Sequence, residues 1–124
     1  MDVMKSGSLE SFARSVVDNV VSAIALQDLC AVHSVGMLAL LDQLAGHIAR
    51  GYSTDVWSFA DADAAMNHLW AFLCSQKDFE IPSYFYSVYE AFDAGEYCHS
   101  GGAQDVSPEE RYTKPLIEAI LGSS

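Results

Sequence analysis

The chain has 124 residues, of which 17 are Asp or Glu and 6 are Lys or Arg, for a formal net charge of −11. A field of this sign repels phosphate, which argues against direct binding of nucleic acid or an anionic membrane and favours a basic protein as partner. Because 51% of the residues are hydrophobic, we expect one folded domain spanning residues 1–124 and exclude a disordered acidic tail.

The sequence also predicts a cytoplasmic protein. The first residues lack the basic and apolar regions of a signal peptide. The longest uncharged apolar stretch, residues 29–41, is shorter than the roughly 20 residues that a membrane-spanning helix needs.

Helical spacing of apolar residues dominates the first half of the chain. From Leu9 onward the spacing predicts a first helix over residues 8–27, with two strands as the alternative because of the paired valines. A second helix is expected over residues 32–48, ending near Arg50 with Gly51 after its last turn. Gly36 and Gly46 inside it indicate either close helix contact or a broken start.

Capping residues place the later helices. Asp61 is the expected N-cap of a third helix that runs to about residue 76. The fourth opens at Pro82 and Ser83 and ends near Gly95.

The C-terminal segment combines a strong helix start with a proline. Ser107 as N-cap and Pro108 after it predict a turn over residues 108–112. Since Pro115 interrupts a continuous helix, Thr113 is expected to cap a final helix. The expected fold is therefore all-α, a single-domain bundle of about five helices.

The acidic residues are concentrated in one part of the chain. Between Lys77 and Arg111 the sequence has eight acidic residues and no basic one. Such a run is compatible with a solvated helix face. A surface built only for solubility usually mixes both signs, however, so the run favours an interaction surface for a cationic partner.

Motifs for catalysis are not found. The sequence lacks a phosphate-binding glycine loop, a nucleophile elbow and a zinc-protease motif, so we expect no enzyme, no catalytic residue, no metal site and no cofactor. One alternative stays open: a small helical enzyme or ligand-binding bundle in which His68, Trp70 and Cys74 line an interior pocket.

Two C-terminal segments resemble a known class of proteins. Residues 89–97 read Tyr-Glu-Ala-Phe-Asp-Ala-Gly-Glu-Tyr, and residues 108–117 read Pro-Glu-Glu-Arg-Tyr-Thr-Lys-Pro-Leu-Ile. They resemble the C-terminal part of small bacterial immunity proteins that protect a cell from polymorphic toxins, such as those of contact-dependent growth inhibition and colicin systems. Residues 1–80 carry no part of this resemblance.

The resemblance implies that the chain binds and neutralises a cognate basic toxin domain, most commonly an RNase or a DNase. A nuclease holds phosphates with Lys and Arg, so carboxylates can occupy its cleft in their place. The expected toxin-binding carboxylates, with Tyr97 as the aromatic anchor, are Glu90, Asp93, Glu96, Asp105, Glu109 and Glu110. The alternative in the same electrostatic class is an acidic nucleic-acid mimic or a chaperone for another basic protein.

Overall fold

Helices are the regular elements of the computed structural model, which describes residues 2–76, 80–96 and 108–122, with side chains from residue 8. The described part contains α1 (Asp2–Ser15), α2 (Ala23–His33), α3 (Met37–Ser53), α4 (Phe59–Ser75), α5 (Ser83–Ala94) and α6 (Lys114–Gly122), with a π-helical segment, Glu109–Thr113, directly before α6. The predicted all-α fold class is confirmed, with six α-helices in the described residues where about five were expected.

Helix α3 lies at the centre of the bundle. It contacts each of the other five described α-helices, and α5 most extensively. Its buried side chains belong to one hydrophobic cluster with those of its neighbours; on α3 they are Leu40, Leu41, Leu44, Ala45, Ile48, Ala49 and Tyr52. Because apolar burial is the main favourable term in folding, α3 is the element on which the others are assembled.

The predicted continuous helix over residues 8–27 is wrong. The chain leaves the helical path after Ser15 and resumes it only after Ser22. Asn19 Nδ2 donates a hydrogen bond to the carbonyl of Ser15 (2.9 Å), and Ser22 Oγ accepts one from the N–H of Ala25 (3.3 Å). Polar side chains that bond to backbone groups compete with the helix, and apolar spacing does not register that competition. The described residues form no strand here either.

The second predicted helix, over residues 32–48, has a broken start. Ser34 adopts the left-handed conformation (φ 56°), and the N–H of Val35 bonds to the carbonyl of Cys30 (3.1 Å), which ends α2 in a Schellman-type cap. Helix α3 then begins after Gly36, and the two helices are bent by 89°. Of the two roles considered for Gly36, the broken start is confirmed.

Gly51 lies inside α3 rather than after its last turn, so the predicted end near Arg50 is wrong. Helix α3 continues to Ser53, and Trp57 folds back against Gly51, where a Cβ would collide with its indole ring. The N–H of Trp57 bonds to the carbonyl of Gly51 (3.0 Å). The glycine serves a close contact between the helix and the following turn.

Helix α4 begins earlier than predicted, and α5 begins and ends as predicted. Ser58 Oγ accepts a hydrogen bond from the N–H of Asp61 (3.1 Å), so Ser58 is the N-cap and Asp61 lies in the first turn. Helix α5 starts after Pro82 and ends before Gly95. Its first turn is also capped from outside, since Asp42 Oδ1 accepts the N–H of Phe85 (2.9 Å).

The C-terminal helix is continuous where a turn and a separate cap were predicted. Thr113 is buried, and its Oγ1 donates a hydrogen bond to the carbonyl of Ala91 (2.7 Å), so it joins this helix to α5 instead of capping α6. The predicted turn over residues 108–112 is therefore wrong. Ser107, its predicted N-cap, lies outside the described residues.

The π-helical segment explains how the chain tolerates Pro115. The N–H of Lys114 bonds to the carbonyl of Glu109, five residues back, as in a π-helix. This wider turn relieves the clash that a proline ring makes with the preceding turn of an α-helix.

A single carboxylate, that of Glu10, joins α1 to α3 and to the chain before α4. It accepts hydrogen bonds from Arg14 Nε (2.7 Å), His47 Nε2 (2.7 Å) and Trp57 Nε1 (3.0 Å). The Arg14 guanidinium lies 3.9 Å from the Trp57 ring centroid. Burial raises the pKa of Glu10, but the three hydrogen bonds outweigh it and lower the pKa to about 2.

Gly95 brings α5, α4 and the π-helical segment into direct contact. A Cβ at this position would overlap Thr113 Oγ1 and would lie 2.9 Å from Cε1 of Phe59. Behind it, Tyr52, Phe59 and Phe92 pack edge to face or tilted, with ring centroids 5.2–6.4 Å apart. The end of α5 is thereby held against the start of α4.

Substituting Gly95→Ala should destabilise the protein by about 1–3 kcal/mol, because the added methyl group has no space in this contact. Gly122→Ala is the matched control, since nothing lies within 4 Å of a Cβ there. Urea unfolding of the two variants measures the difference. Equal stability of the two variants would contradict the packing described at Gly95.

Candidate functional site

Helices α4 and α5 run antiparallel, and their paired side chains form one surface. Asn67 Nδ2 donates to Glu96 Oε2 (3.1 Å), and Trp70 lies against Tyr89 and Tyr86, with centroids 4.6 and 5.5 Å away. Later residues of α4 thus meet earlier residues of α5. We call this the α4–α5 surface; it consists of Asp63, Asn67, Trp70, Tyr86, Tyr89, Glu90, Asp93 and Glu96.

At one end of the α4–α5 surface the carboxylates of Asp93 and Glu96 act on the carboxyl group of Asp63, and we call these three residues the carboxylate group. Asn67 Nδ2 lies between two of them, 3.4 Å from Asp63 Oδ2 and 3.1 Å from Glu96 Oε2. Asp63 Oδ1 is buried and receives no hydrogen bond from any described group. Asp63 and Glu96 therefore share the side-chain amide of Asn67 as a hydrogen-bond donor.

Burial and the neighbouring carboxylates change the protonation of Asp63. Burial, a hydrogen bond with Glu96 and the nearby charges of Glu96 and Asp93 together raise the pKa of Asp63 to about 8. Asp63 consequently holds a proton near neutral pH, which it can donate to Glu96. When carboxyl groups share one site, repulsion between their negative charges keeps one of them protonated.

Three aromatic rings form the other end of the α4–α5 surface, and we call Trp70, Tyr86 and Tyr89 the aromatic cluster. The Trp70 and Tyr89 rings stack with centroids 4.6 Å apart and planes at 17°. Tyr86 lies beside both, with centroids 5.5 Å from Trp70 and 6.3 Å from Tyr89. Tyr86 is 37% exposed, so the cluster reaches the protein surface.

Glu90 connects the two ends of this surface. It is exposed and lies one turn after Tyr86 and one turn before Asp93 on α5. Asp93 is half-buried, so Glu90 is the more exposed of these two carboxylates of α5. Neither α4 nor α5 contains a Lys or Arg residue.

A second acidic region lies where α3 ends and the π-helical segment begins. Tyr52 Oη donates a hydrogen bond to Glu109 Oε2 (2.6 Å). Burial raises the pKa of Tyr52, and the bond to Glu109 and the charges of Glu109, Asp55 and Glu110 raise it further. The Glu109 carboxylate is thus engaged with α3, while Glu110 is exposed.

The predicted site residues therefore fall into three sets. Glu90, Asp93 and Glu96 lie together on the α4–α5 surface. Glu109 and Glu110 lie in the second acidic region. Tyr97 and Asp105 lie outside the described residues.

Sequence reasoning missed the α4 half of the surface, including Trp70 of the aromatic cluster. Asp63, Asn67 and Trp70 recur at i, i+4 and i+7, which places them on one side of a helix. That spacing and the lack of Lys and Arg in both helices are signals that were available.

The alternative interior pocket does not form from its proposed residues. His68 Nδ1 lies 2.5 Å from the carbonyl of Val16, Trp70 stacks on Tyr89, and Cys74 is exposed. The three side chains thus face different surroundings. Among the described residues, no group of three or more His, Cys, Asp and Glu side chains is arranged to hold a metal ion.

Comparison with known proteins gives no relative for this chain: no protein family, no curated protein and no solved structure matches it. Within the described residues, no single helix has the length and apolar composition needed to cross a bilayer; α2 and α3 meet those criteria only as a pair bent by 89°.

Asp63→Asn should change how stability depends on pH. The folded pKa of about 8 lies above the ordinary value of 3.8, so the folded protein holds the extra proton between those values. Stability of the natural protein should therefore fall as the pH rises from about 4 to 8. The amide introduced by the substitution would remain neutral and still donate to Glu96, so the variant should lose less stability over that range.

Urea unfolding at about pH 5 and about pH 8.5 measures this effect, with Asp28→Asn on the exposed side of α2 as the control. The control should keep the pH dependence of the natural protein. A parallel pH dependence in Asp63→Asn would contradict the raised pKa.

Proposed function

We propose that this chain binds a basic protein domain through the α4–α5 surface, and that it does so as the immunity protein of a bacterial toxin. The observation that carries the proposal is the composition of this surface: carboxyl groups and aromatic rings on two adjacent helices that contain no Lys or Arg. Aromatic anchors within an electrostatic rim are typical of tight protein interfaces.

The crowding of the carboxylate group supports a cationic partner. Burial, and after it the hydrogen bond with Glu96 and the charges of Glu96 and Asp93, raise the pKa of Asp63, and Asn67 Nδ2 lies within hydrogen-bond distance of both Asp63 and Glu96. Such an arrangement costs folding free energy in the unbound protein. A partner's Lys or Arg would relieve the repulsion on binding.

A nuclease toxin is the partner class that this chemistry favours. A nuclease cleft presents Lys and Arg side chains to phosphates, and carboxylates of an inhibitor can meet the same cations. The chain's net charge of −11 would also accelerate encounter with such a domain. The choice of a toxin among basic proteins rests on the resemblance of residues 89–97 and 108–117 to immunity proteins. In this proposal the chain acts by occlusion in the cytoplasm and performs no catalysis.

Charge reversal on the α4–α5 surface should abolish the protection of the cell against the toxin. Glu90→Lys combined with Glu96→Lys places two cations opposite the partner's own, and each should weaken binding by about 2–5 kcal/mol. The fold should persist, because Glu90 is exposed and the ammonium group introduced by Glu96→Lys would pair with the carboxylates beside it. The matched control, Asp18→Lys with Asp28→Lys, changes net charge equally at exposed positions on and before α2.

The measurement is co-expression of each variant with a candidate basic nuclease toxin domain, scored by cell growth and by gels of cellular RNA and DNA. The natural protein and the control variant should preserve growth and intact nucleic acid, and Glu90→Lys/Glu96→Lys should not. Equal protection by all three would exclude the α4–α5 surface. Protection by none would exclude immunity to that toxin.

A further inference from the structure

The aromatic cluster extends from the hydrophobic core to the protein surface. Trp70 and Tyr89 are partly buried and pack against the core, whereas 37% of Tyr86 is exposed. A partner group that approaches this end of the α4–α5 surface can therefore contact the Tyr86 ring.

The rings are held in place before any partner arrives. Trp70 and Tyr89 stack at 4.6 Å with planes at 17°, and Tyr86 is tilted by 26° against Tyr89. Ordered side chains lose little conformational entropy on binding, so the contact energy of a ligand is not offset by ordering the receptor.

Negative charge borders the cluster on the side of the α5 C-terminus. Glu90 follows Tyr86 by four residues, so these two exposed side chains are neighbours one turn apart on the same face of α5. Asp93 follows Tyr89 by the same interval. A planar cation on the aromatic cluster would therefore have a carboxylate beside it.

We propose that the aromatic cluster binds an arginine side chain of the basic partner, and that this arginine forms an ion pair with Glu90. This inference rests on the proposed function and specifies its anchor. Arginine fits better than lysine, because a guanidinium group is planar, stacks on aromatic faces and is less strongly hydrated than an ammonium group. Its second edge stays available for a bidentate bond to a carboxylate.

The test compares hexa-arginine with hexa-lysine, two peptides of equal length and charge, by calorimetric titration at low ionic strength. The natural protein should bind hexa-arginine about tenfold more tightly, as a cation–π contact of ordinary strength predicts. Tyr86→Leu should reduce this ratio to near one, and Tyr86→Phe should retain it. Tyr86 is exposed, so neither change should prevent folding.

Tyr84→Leu is the matched control. Tyr84 is on the same helix but lies beside Gly46 of α3, away from the aromatic cluster, so its replacement should leave the peptide ratio unchanged. Glu90→Gln should weaken hexa-arginine binding by a larger factor than hexa-lysine binding.

The outcomes separate this inference from the function on which it rests. The natural protein could bind the two peptides equally, or the preference for hexa-arginine could persist in Tyr86→Leu. Either result overturns the arginine-binding site, while the basic-partner proposal stands. Binding of neither peptide overturns both. A preference lost in Tyr86→Leu and kept in Tyr84→Leu supports both.

Discussion

The close contact at Gly95 holds together the elements that carry the α4–α5 surface. Without a side chain, this residue lets the end of α5 pack directly on Phe59 at the start of α4 and on Thr113 of the π-helical segment. Thr113 then bonds to the carbonyl of Ala91. The contact places the end of α5 against the start of α4, as the antiparallel pairing of the two helices requires.

The α4–α5 surface combines a stable half with a destabilising half. The aromatic cluster buries apolar area against the core and stabilises the helix pair. The carboxylate group opposes folding as pH rises, because Asp63 has to hold a proton beside Glu96 to limit the repulsion. Binding a cationic partner would remove this free-energy penalty. Affinity for such a partner is therefore coupled to an arrangement of carboxylates that destabilises the unbound protein.

Local sequence signals predicted the helical class and the limits of α5, where Pro82 and Gly95 bracket a run of aromatic residues. They failed where a polar side chain acts over distance. Thr113 was expected to cap a helix but bonds to α5. Glu109, one of the predicted toxin-binding residues, also bonds to Tyr52, which is 57 residues away in the chain, and no local signal indicates that contact. The apolar periodicity over residues 8–27 also concealed the break before α2, because Asn19 and Ser22 act through hydrogen bonds.

Local sequence signals predicted only part of the candidate site. The acidic run placed Glu90, Asp93 and Glu96 together because they share one helix end. Asp63 could not be assigned to them, since only the packing of α4 on α5 brings it there.

The most direct measurement is NMR mapping of amide shifts on adding the candidate toxin domain. Binding through the α4–α5 surface predicts perturbations concentrated at residues 63–70 and 86–96; perturbations confined to α2 or α6 would contradict it.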